Sequence, residues 1–439
     1  MRTLVFSICA RNYIGLARVL GQSIGSGPDA PDFRIYVAEG LNGDVEPADD
    51  LASAPDALAG IIPPIEFANM AFMYDVTEFC TALKAACFQH AFAEGYDKVV
   101  YMDPDVFVAG NVGEVLDTLD TCEILITPHL CLPSRGQGAR SDQGILATGV
   151  YNLGFLGVRR GQSSARFLDW WHQRLRTQAF DDHYSSLFTD QRWIDFVPTL
   201  FPGEAVRIWR HLGCNLAPWN FHERAIEEHS ESLMVRPRGE PSDLASPVRL
   251  VFVHFSGFDF RRILDGTFDQ RNLEDAEDFQ DLAPVYEAYR SSIRAQAEQF
   301  AYHLALPYGF ATFADGTPIL PSQRRLFRVW RERNGDAARP FAVGPGTFHQ
   351  ALKERGLLAR SSSADLAADK ATIRTIAQPQ RLLGRARAVF RLLFRVLGRA
   401  RFFLLVRSLN RLAHVEQHYE TFRLDGASID RADASGSPN

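Results

Sequence analysis

The chain has 439 residues, enough to bury a large core and to form two or three domains. Its formal net charge of −6 gives no reason to expect nucleic-acid binding, and its 46% hydrophobic and 23% charged residues are typical of a globular protein. The six cysteines form no CxxC pair, which argues against a zinc knuckle or redox motif and predicts reduced thiols in a cytoplasmic protein. We predict neither a signal peptide nor a transmembrane helix, because no apolar run is long enough.

Strand-like and helix-like segments alternate over the first 260 residues. Such alternation predicts an α/β fold with a mostly parallel, Rossmann-like sheet flanked by helices. The predicted strands are 3–9, 33–37, 98–102, 122–127, 153–158 and 249–254, and the predicted helices are 13–24, 78–94 and 166–176.

Composition changes along the chain suggest five segments. We expect the α/β domain at 1–270 and a mainly helical accessory subdomain, which would help to hold an acceptor, at 271–358. Residues 359–379 are rich in Ser, Ala and Asp, as in a linker, and basic amphipathic helices are expected at 380–415. The small, polar tail 425–439 is expected to be disordered.

The sharpest local signal is the run VVYMDPDV. In an extended backbone residues i and i+2 point to the same side, so Asp103 and Asp105 face one point. Pro104 has no N–H to give a neighbouring strand and marks the end of pairing. Two carboxylates at the end of a buried strand are costly unless a cation joins them, and oxygen ligands favour Mg²⁺ or Mn²⁺. We predict a metal site here, although a bare Asp-x-Asp is more often a solvated turn.

A second signal is the run VFVHFSG, in which a strand ends at His254. Alone, His254 would be read as a strand cap; beside the acidic pair it is predicted as the third metal ligand, since Mn²⁺ accepts an imidazole nitrogen together with oxygens. Ser256 and Gly257 are small enough to let backbone N–H groups approach a phosphate. Either Arg261 or Arg262, which follow, could neutralise a diphosphate leaving group.

Taken together, these motifs resemble GT-A-fold glycosyltransferases, most closely the retaining glycosyltransferase family 8 and its bacterial relatives. The resemblance covers about residues 1–265 and rests on the ordered segments SICARNYIGLARVLGQSI, TALKAACFQHAFAEGYDKVVYMDPDVFV, GVYNLGFLGV, FTDQRWIDF, GCNLAPWN and VFVHFSG. It implies that 1–270 binds a nucleotide-sugar, UDP-linked by family resemblance, and transfers a hexose-type sugar to a glycan or lipid-linked acceptor with Mn²⁺ or Mg²⁺ as cofactor.

The resemblance also implies a role for individual positions. The metal ligands would be Asp103, Asp105 and His254. The donor-binding positions would be Ile8, Ala10, Asn12, Tyr13, Lys84, Asp103, Asn152, Gly154, Ser256, Gly257 and Arg262. The catalytic positions would be Asp190, which grips sugar hydroxyls, Gln191, which lies near the anomeric carbon, and Arg261.

The implied mechanism follows from Gln191, which is a poor nucleophile. We expect front-face attack assisted by the leaving phosphate, with the cation and a cationic side chain stabilising its charge. Family members commonly carry a Lys after the HFxG element, where this chain has FDFRR, so that role falls to Arg261 or Arg262. The loop 131–148 is expected to be either a lid over the donor or an ordinary surface loop.

The segment 380–412 contains nine arginines and no acidic residue. Arginines recur every four residues from Arg387 to Arg399, and apolar residues occupy the other side of the predicted helix: Val389, Phe390, Leu393, Phe394 and Leu397. After Gly398 the apolar face is offset, which predicts two helical pieces. The pattern is typical of helices that lie in an anionic membrane surface, and we predict peripheral contact at the inner face of the membrane. Packing on the protein itself or on a partner is the alternative.

Three other functions are alternatives to this prediction. An inverting transferase needs a general base, for which Asp142, Asp190 or Asp195 is a candidate. A nucleotidyltransferase usually carries a Gly-rich phosphate loop after the first strand, where this chain has ARNY. A non-catalytic, partner-binding protein on the same scaffold would be expected to lose a metal-site residue, and here all three are present.

Overall fold

The computed structural model describes most of the chain, and the residues described are 1–27, 30–41, 43–133, 142–229, 232–238, 246–263, 265, 267–268, 270, 276–359, 365, 367, 369, 379–412 and 414–424. The tail 425–439, most of the linker and the middle of the loop 131–148 lie outside them. The chain divides into two compact units, Met1–Pro63 with Val76–Tyr308 and Pro64–Asp75 with Gly309–Asn439. The functional division at 270 and 358 stays a prediction.

All of the β-strands lie in the first unit of the described chain. They are β1 (Thr3–Cys9), β2 (Asp32–Val37), β3 (Leu51–Ser53), β4 (Lys98–Met102), β5 (Val106–Val108), β6 (Ile124–Pro128), β7 (Tyr151–Arg159), β8 (Asp181–Asp182), β9 (Leu187–Phe188), β10 (Val206–Ile208), β11 (Arg224–His229), β12 (Ser232–Pro237), β13 (Val248–Arg249) and β14 (Phe252–His254).

The α-helices of the described chain belong to both units. They are α1 (Ile14–Ile24), α2 (Ala54–Ala57), α3 (Pro64–Met73), α4 (Val76–Ala82), α5 (Lys84–Ala93), α6 (Gly113–Thr118), α7 (Asp142–Thr148), α8 (Gln162–Gln178), α9 (Val197–Leu200), α10 (Phe260–Ile263), α11 (Ala283–Arg294), α12 (Ala297–Leu304), α13 (Pro321–Asn334), α14 (Phe348–Glu354), α15 (Pro379–Arg411) and α16 (Tyr419–Phe422). Helices α3 and α13 to α16 are in the second unit. No helix in the described ranges combines the length and apolarity needed to cross a bilayer.

The central sheet has seven strands among the described residues, in the order β10-β6-β7-β4-β1-β2-β3. Its neighbours pair in parallel except around β7, which is antiparallel to both β4 and β6. Every residue of β4, which reads KVVYM, is buried, as expected for a central strand covered on both faces. The predicted α/β class, with a mostly parallel sheet, flanking helices and a helical C-terminal extension, is confirmed.

Two elements that the sequence predicts as continuous in the first unit are each divided in the structure. The single helix expected over 78–94 is two helices, because α4 ends at Ala82 and α5 begins at Lys84. The strand expected over 249–254 is also divided, with β13 pairing to β12 and β14 pairing to β5. The chain thus leaves one sheet and joins another within this segment, and β14 is brought beside β5.

The second unit is organised around aromatic side chains. The Phe72 ring of α3 lies 4.4 Å from the Phe327 ring and 5.8 Å from the Phe348 ring, centroid to centroid. The buried Arg324 guanidinium donates to the carbonyl oxygens of Ala71, Phe72 and Tyr74 at 3.1, 2.7 and 2.9 Å. This side chain therefore satisfies carbonyl groups that the end of α3 leaves without helical partners.

Candidate active site

Strand pairing brings the two predicted signals together. Asp103 and Asp105 lie in the short turn between β4 and β5. Strand β5 pairs antiparallel with β14, and His254 lies opposite Val106 in this register. The turn is fixed by backbone hydrogen bonds, since Val106 N–H donates to the Asp103 carbonyl at 3.0 Å and Phe255 N–H to the Asp105 carbonyl at 2.9 Å. His254 thus lies alongside the acidic turn although about 150 residues separate them in the chain.

Asp103, Asp105 and His254 each offer one ligand atom, and these atoms lie within 4.8 Å of one another. The His254 Nε2 atom is 3.1 Å from Asp105 Oδ1 and 3.6 Å from Asp103 Oδ2. Burial lowers the pKa of His254, but the carboxylates of Asp105 and Asp103 outweigh this effect and hold it above its ordinary value. The two carboxylates thus create a negative potential at the imidazole. Their oxygens and the imidazole nitrogen form a donor set suited to a divalent cation such as Mn²⁺.

Asn152 and Gly154 of β7 support this cluster. The Nδ1 atom of His254 lies 3.2 Å from Asn152 Oδ1, an acceptor that directs Nε2 towards the carboxylates. Gly154 has no side chain at the point where His254 approaches: a Cβ atom there would lie 2.2 Å from His254 Cε1 and 2.5 Å from Nδ1. The Gly154 carbonyl also accepts the Asp103 N–H at 2.9 Å. Both residues therefore position the metal-site side chains.

Lys84, the first residue of α5, lies beneath the acidic turn with 1% of its side chain exposed. Its ammonium is 2.9 Å from Asp190 Oδ2 and 3.7 Å from Asp103 Oδ1, and it lies 4.3 Å from the centre of the Tyr101 ring. Burial raises the pKa of the Asp190 carboxyl, against the opposing effect of Lys84. Burial and Asp103 raise the pKa of Tyr101, so its phenol stays protonated and donates to Asp103 Oδ1.

Gln191 is buried, and its amide is engaged on both sides. Its Oε1 accepts from the Leu153 N–H at 3.0 Å and from Asn152 Nδ2 at 3.4 Å, while its Nε2 donates to the Thr148 carbonyl at 2.8 Å. These bonds connect it to Leu153 and to Asn152, which also contacts His254. Gln191 and Asp190 thus belong to one network with Asp103, Asp105 and His254.

A cleft of about 310 Å³ opens beside the cluster. It is lined by residues of β1 and the following turn, of α4, of the acidic turn and of the end of β14: Ile8, Cys9, Ala10, Asn12, Tyr13, Val76, Thr77, Cys80, Thr81, Tyr101, Asp103, Pro104, Asp105, His254 and Ser256. Within the described part of the chain, the buried Oδ1 atom of Asn12 has no hydrogen-bond partner. The cleft therefore combines a wall that carries the carboxylate–imidazole cluster with a polar atom available to a ligand.

A second cavity, of about 480 Å³, shares Asn12 and Tyr13 with this cleft. Arg261 lines it, together with Asp259 and the aromatic residues Phe258 and Phe260. The left-handed φ of 78° at Gly257 turns the chain into this segment, a conformation that favours glycine. Both Arg261 and Arg262 are exposed on α10, and Arg261 is the one that lines the cavity.

The sequence prediction missed several residues around the cluster. Thr77, Cys80 and Thr81 line the cleft from α4, and their i, i+3, i+4 spacing could have placed them on one helical face. The Trp219 ring lies edge-on to the His254 ring, with centroids 5.3 Å apart. Trp219 falls in the segment GCNLAPWN, which carried the resemblance but gave no role to this side chain.

Of the three residues considered as an inverting base, Asp190 is the one that pairs with Lys84 beside the cluster. Asp195 Oδ1 accepts the Val150 N–H at 2.9 Å, and burial raises the pKa of this carboxyl. Asp142 begins α7, directly after the residues 134–141 that lie outside the described chain. Residues 134–141 of the loop predicted over 131–148 lie outside the described chain, so the lid stays a prediction, whereas 142–148 form α7 where a loop was expected.

Comparisons with known proteins give matches only among solved structures. No protein-family model matches the chain, and no curated protein matches it. The galactosyltransferase LgtC, solved with donor and acceptor sugar analogues, is 17% identical with a TM-score of 0.34 over 66% of this chain and 95% of that one. The glycosyltransferase GlyE of Streptococcus pneumoniae TIGR4 is 14% identical with a TM-score of 0.33 over 71% and 66%. Mouse xyloside xylosyltransferase 1 is 12% identical with a TM-score of 0.30 over 49% and 86%.

Proposed function

We propose that this protein is a metal-dependent glycosyltransferase of the GT-A type, related to the retaining family 8. It takes a hexose-type sugar from a nucleotide-diphosphate sugar, with UDP as the nucleotide. The observation that carries the proposal is the cleft in which Asp103, Asp105 and His254 face the turn after β1. A carboxylate–imidazole cluster beside a pocket of nucleotide size suits a metal-bound diphosphate.

The proposed donor site uses the two ends of this cleft. Ile8, Ala10, Asn12 and Tyr13 hold the base and ribose, and the Asn12 Oδ1 atom accepts a ligand hydrogen. Asp103, Asp105 and His254 hold Mn²⁺ or Mg²⁺, which when bound acts as a Lewis acid on the diphosphate. Backbone groups at Ser256 and Gly257 contact the phosphates.

The proposed catalytic groups are Asp190, Gln191 and Arg261. In the transfer step the bond between the anomeric carbon and the diphosphate oxygen breaks, and the acceptor hydroxyl oxygen bonds to the same face of that carbon. The hydroxyl proton passes to the departing phosphate oxygen. Arg261 offsets the charge that develops on the diphosphate, while Asp190 and Gln191 orient the sugar. The Lys84 ammonium holds Asp190 and Asp103 in place through ion pairs.

The proposed acceptor is a glycan or a lipid-linked glycan. The exposed arginines described between 385 and 407 support an acceptor met at the inner face of a membrane, with the enzyme attached peripherally. Assaying lipid-linked and water-soluble acceptors side by side tests this choice. Analysing the anomer of the product tests retention, because an inverted product would favour a base such as Asp195 over front-face attack.

Nucleotide binding is the first test of the proposed function. Thermal unfolding is measured with UDP, GDP, CDP and ADP, with and without Mn²⁺, for the native chain, for Asp105→Ala and for the exposed control Asp117→Ala. A ligand that binds the folded state alone stabilises it by about 2.7 kcal/mol at one hundred times its Kd. We expect UDP to stabilise the native chain and the control only with Mn²⁺, and Asp105→Ala to lose the effect. Absence of any nucleotide effect on the native chain contradicts the donor site.

A further inference from the structure

Helix α15 is divided into two arms by Gly398. This residue has φ 69° and ψ 171°, a left-handed conformation that favours glycine and interrupts the helix. The arms meet through aromatic rings, with Phe402 of the second arm 5.2 Å from Phe394 and 6.0 Å from Phe390. One part of the apolar face of the first arm is therefore used to contact the second.

Other apolar side chains of the first arm are left exposed. Val389, Leu392 and Val396 are 56%, 62% and 73% exposed. Their spacing of three and four residues places them in one stripe along the first arm. Leu404 of the second arm is 66% exposed as well. A contiguous exposed apolar stripe is unusual on a protein surface in water and marks a contact with something apolar.

The charges on the two arms indicate which kind of surface the apolar stripe contacts. Between 380 and 412 there are nine arginines and no acidic residue. The arginines whose side chains are described are all exposed: Arg385, Arg387, Arg391, Arg395, Arg399, Arg401 and Arg407. A second copy of the segment would bring arginine against arginine, which is repulsive. A nucleic acid would satisfy the arginines but leave the apolar stripe in water, whereas an anionic lipid surface satisfies both.

We propose that α15 docks in the plane of an anionic lipid bilayer, with Val389, Leu392 and Val396 inserted among the acyl chains and the arginines at the headgroups. Docking on lipid follows from these residues alone, and its purpose, to present the cleft to a membrane-borne acceptor, rests on the proposed function.

Vesicle flotation with the full chain tests the docking. The probes are phosphatidylcholine vesicles and vesicles with 30% phosphatidylglycerol, without nucleotide or Mn²⁺, at two salt concentrations. We expect binding only to the anionic vesicles, weaker at high salt. The combined variant Val389→Asp, Leu392→Asp and Val396→Asp should lower binding at least tenfold. Arg387→Gln with Arg391→Gln and Arg395→Gln should do the same and reduce the salt dependence.

A matched control carries Leu200→Asp and Val343→Asp, two exposed apolar positions outside the segment, and should bind as the native chain does. All the substituted side chains are exposed, so unchanged circular dichroism and melting temperature are expected. Equal binding to both kinds of vesicle, no binding to the anionic one, or an equal loss in the control overturns the proposal. Self-association that the aspartate variant abolishes, without vesicle binding, assigns the stripe to a second copy instead. Vesicle binding without any nucleotide effect rejects the proposed function and leaves the docking in place.

Discussion

Gly154 is the residue on which the geometry of the proposed metal site most directly depends. A Cβ atom at this position would overlap His254 Cε1 at 2.2 Å, so Gly154→Ala must displace the imidazole from the two carboxylates. Substitutions of residues that orient a metal ligand typically lower the metal affinity about 10- to 100-fold. We expect a loss of this size for Gly154→Ala, measured by Mn²⁺ titration with electron paramagnetic resonance.

Gly157 provides the control on the same strand. A Cβ atom there would lie 3.2 Å from the Leu119 side chain, far from any proposed ligand, so Gly157→Ala should lower stability without changing Mn²⁺ affinity. If both variants bind Mn²⁺ as the native chain does, His254 is not a metal ligand in the arrangement described here.

Lys84 and Asp190 form a buried ion pair whose energetics can be measured. Their side chains are 1% and 2% exposed and their charged atoms are 2.9 Å apart. Removing one partner of such a pair leaves the other buried and uncompensated, which costs about 3–5 kcal/mol. We expect Lys84→Met to lower the free energy of unfolding by this amount in urea denaturation.

The double variant Lys84→Met with Asp190→Asn separates this pairing from simple loss of packing. Removing both charges should destabilise the protein by less than the sum of the two single changes, because neither charge is then left unpaired. Strict additivity would mean that the two side chains do not stabilise each other.

At the scale of helices and strands, local patterns in the sequence predicted most elements but not which of them lie side by side in the fold. The buried run KVVYM and the alternation before it predicted β4 and the α/β class. Helix α3 was missed because PIEFANMAFM is apolar around most of its circumference and gives no amphipathic pattern. The proximity of His254 to Asn152 connects residues 102 positions apart, and only the order of strands in the sheet creates it.

Helix α3 depends on a residue that is remote in sequence. The Arg324 guanidinium donates to three carbonyls at the end of α3 and to the Phe310 carbonyl at 2.5 Å. Replacing it leaves buried acceptors without donors, so Arg324→Met should cost about 3 kcal/mol of unfolding free energy in the second unit.

The control for Arg324→Met is Arg333→Gln on the same helix. Arg333 is 40% exposed and pairs with the exposed Glu420, and such surface pairs contribute at most about 1 kcal/mol. Denaturation followed by tryptophan fluorescence reports on Trp330, which belongs to α13 with both residues. Equal effects of the two substitutions would contradict the capping of α3 by Arg324.

Across the whole molecule, partly or fully buried histidines link stability to pH. Burial is the largest cause that lowers the pKa of five described histidines below 6.5, namely His90, His211, His222, His303 and His349. The unfolded chain takes up protons at these positions near pH 6.5, before the folded chain does. The unfolding free energy should therefore be greatest above this pH and fall as the pH is lowered through it. His254, whose pKa is raised, acts in the opposite direction.

His303 isolates one part of this linkage. Its Nδ1 atom lies 2.7 Å from the Gln299 carbonyl within α12, and the side chain is buried in the first unit. In His303→Phe no group at this position titrates, so the loss of unfolding free energy between pH 7.5 and pH 5.5 should be smaller than in the native chain, even if the variant is less stable at both values. The control Phe300→Leu, a buried apolar change in the same helix, removes no titrating group and should keep the native slope. The comparison uses the slope of unfolding free energy against pH and not the absolute stability, so a packing defect in His303→Phe cannot imitate the result. Parallel curves for all three proteins would show that His303 is protonated equally in the folded and unfolded chains.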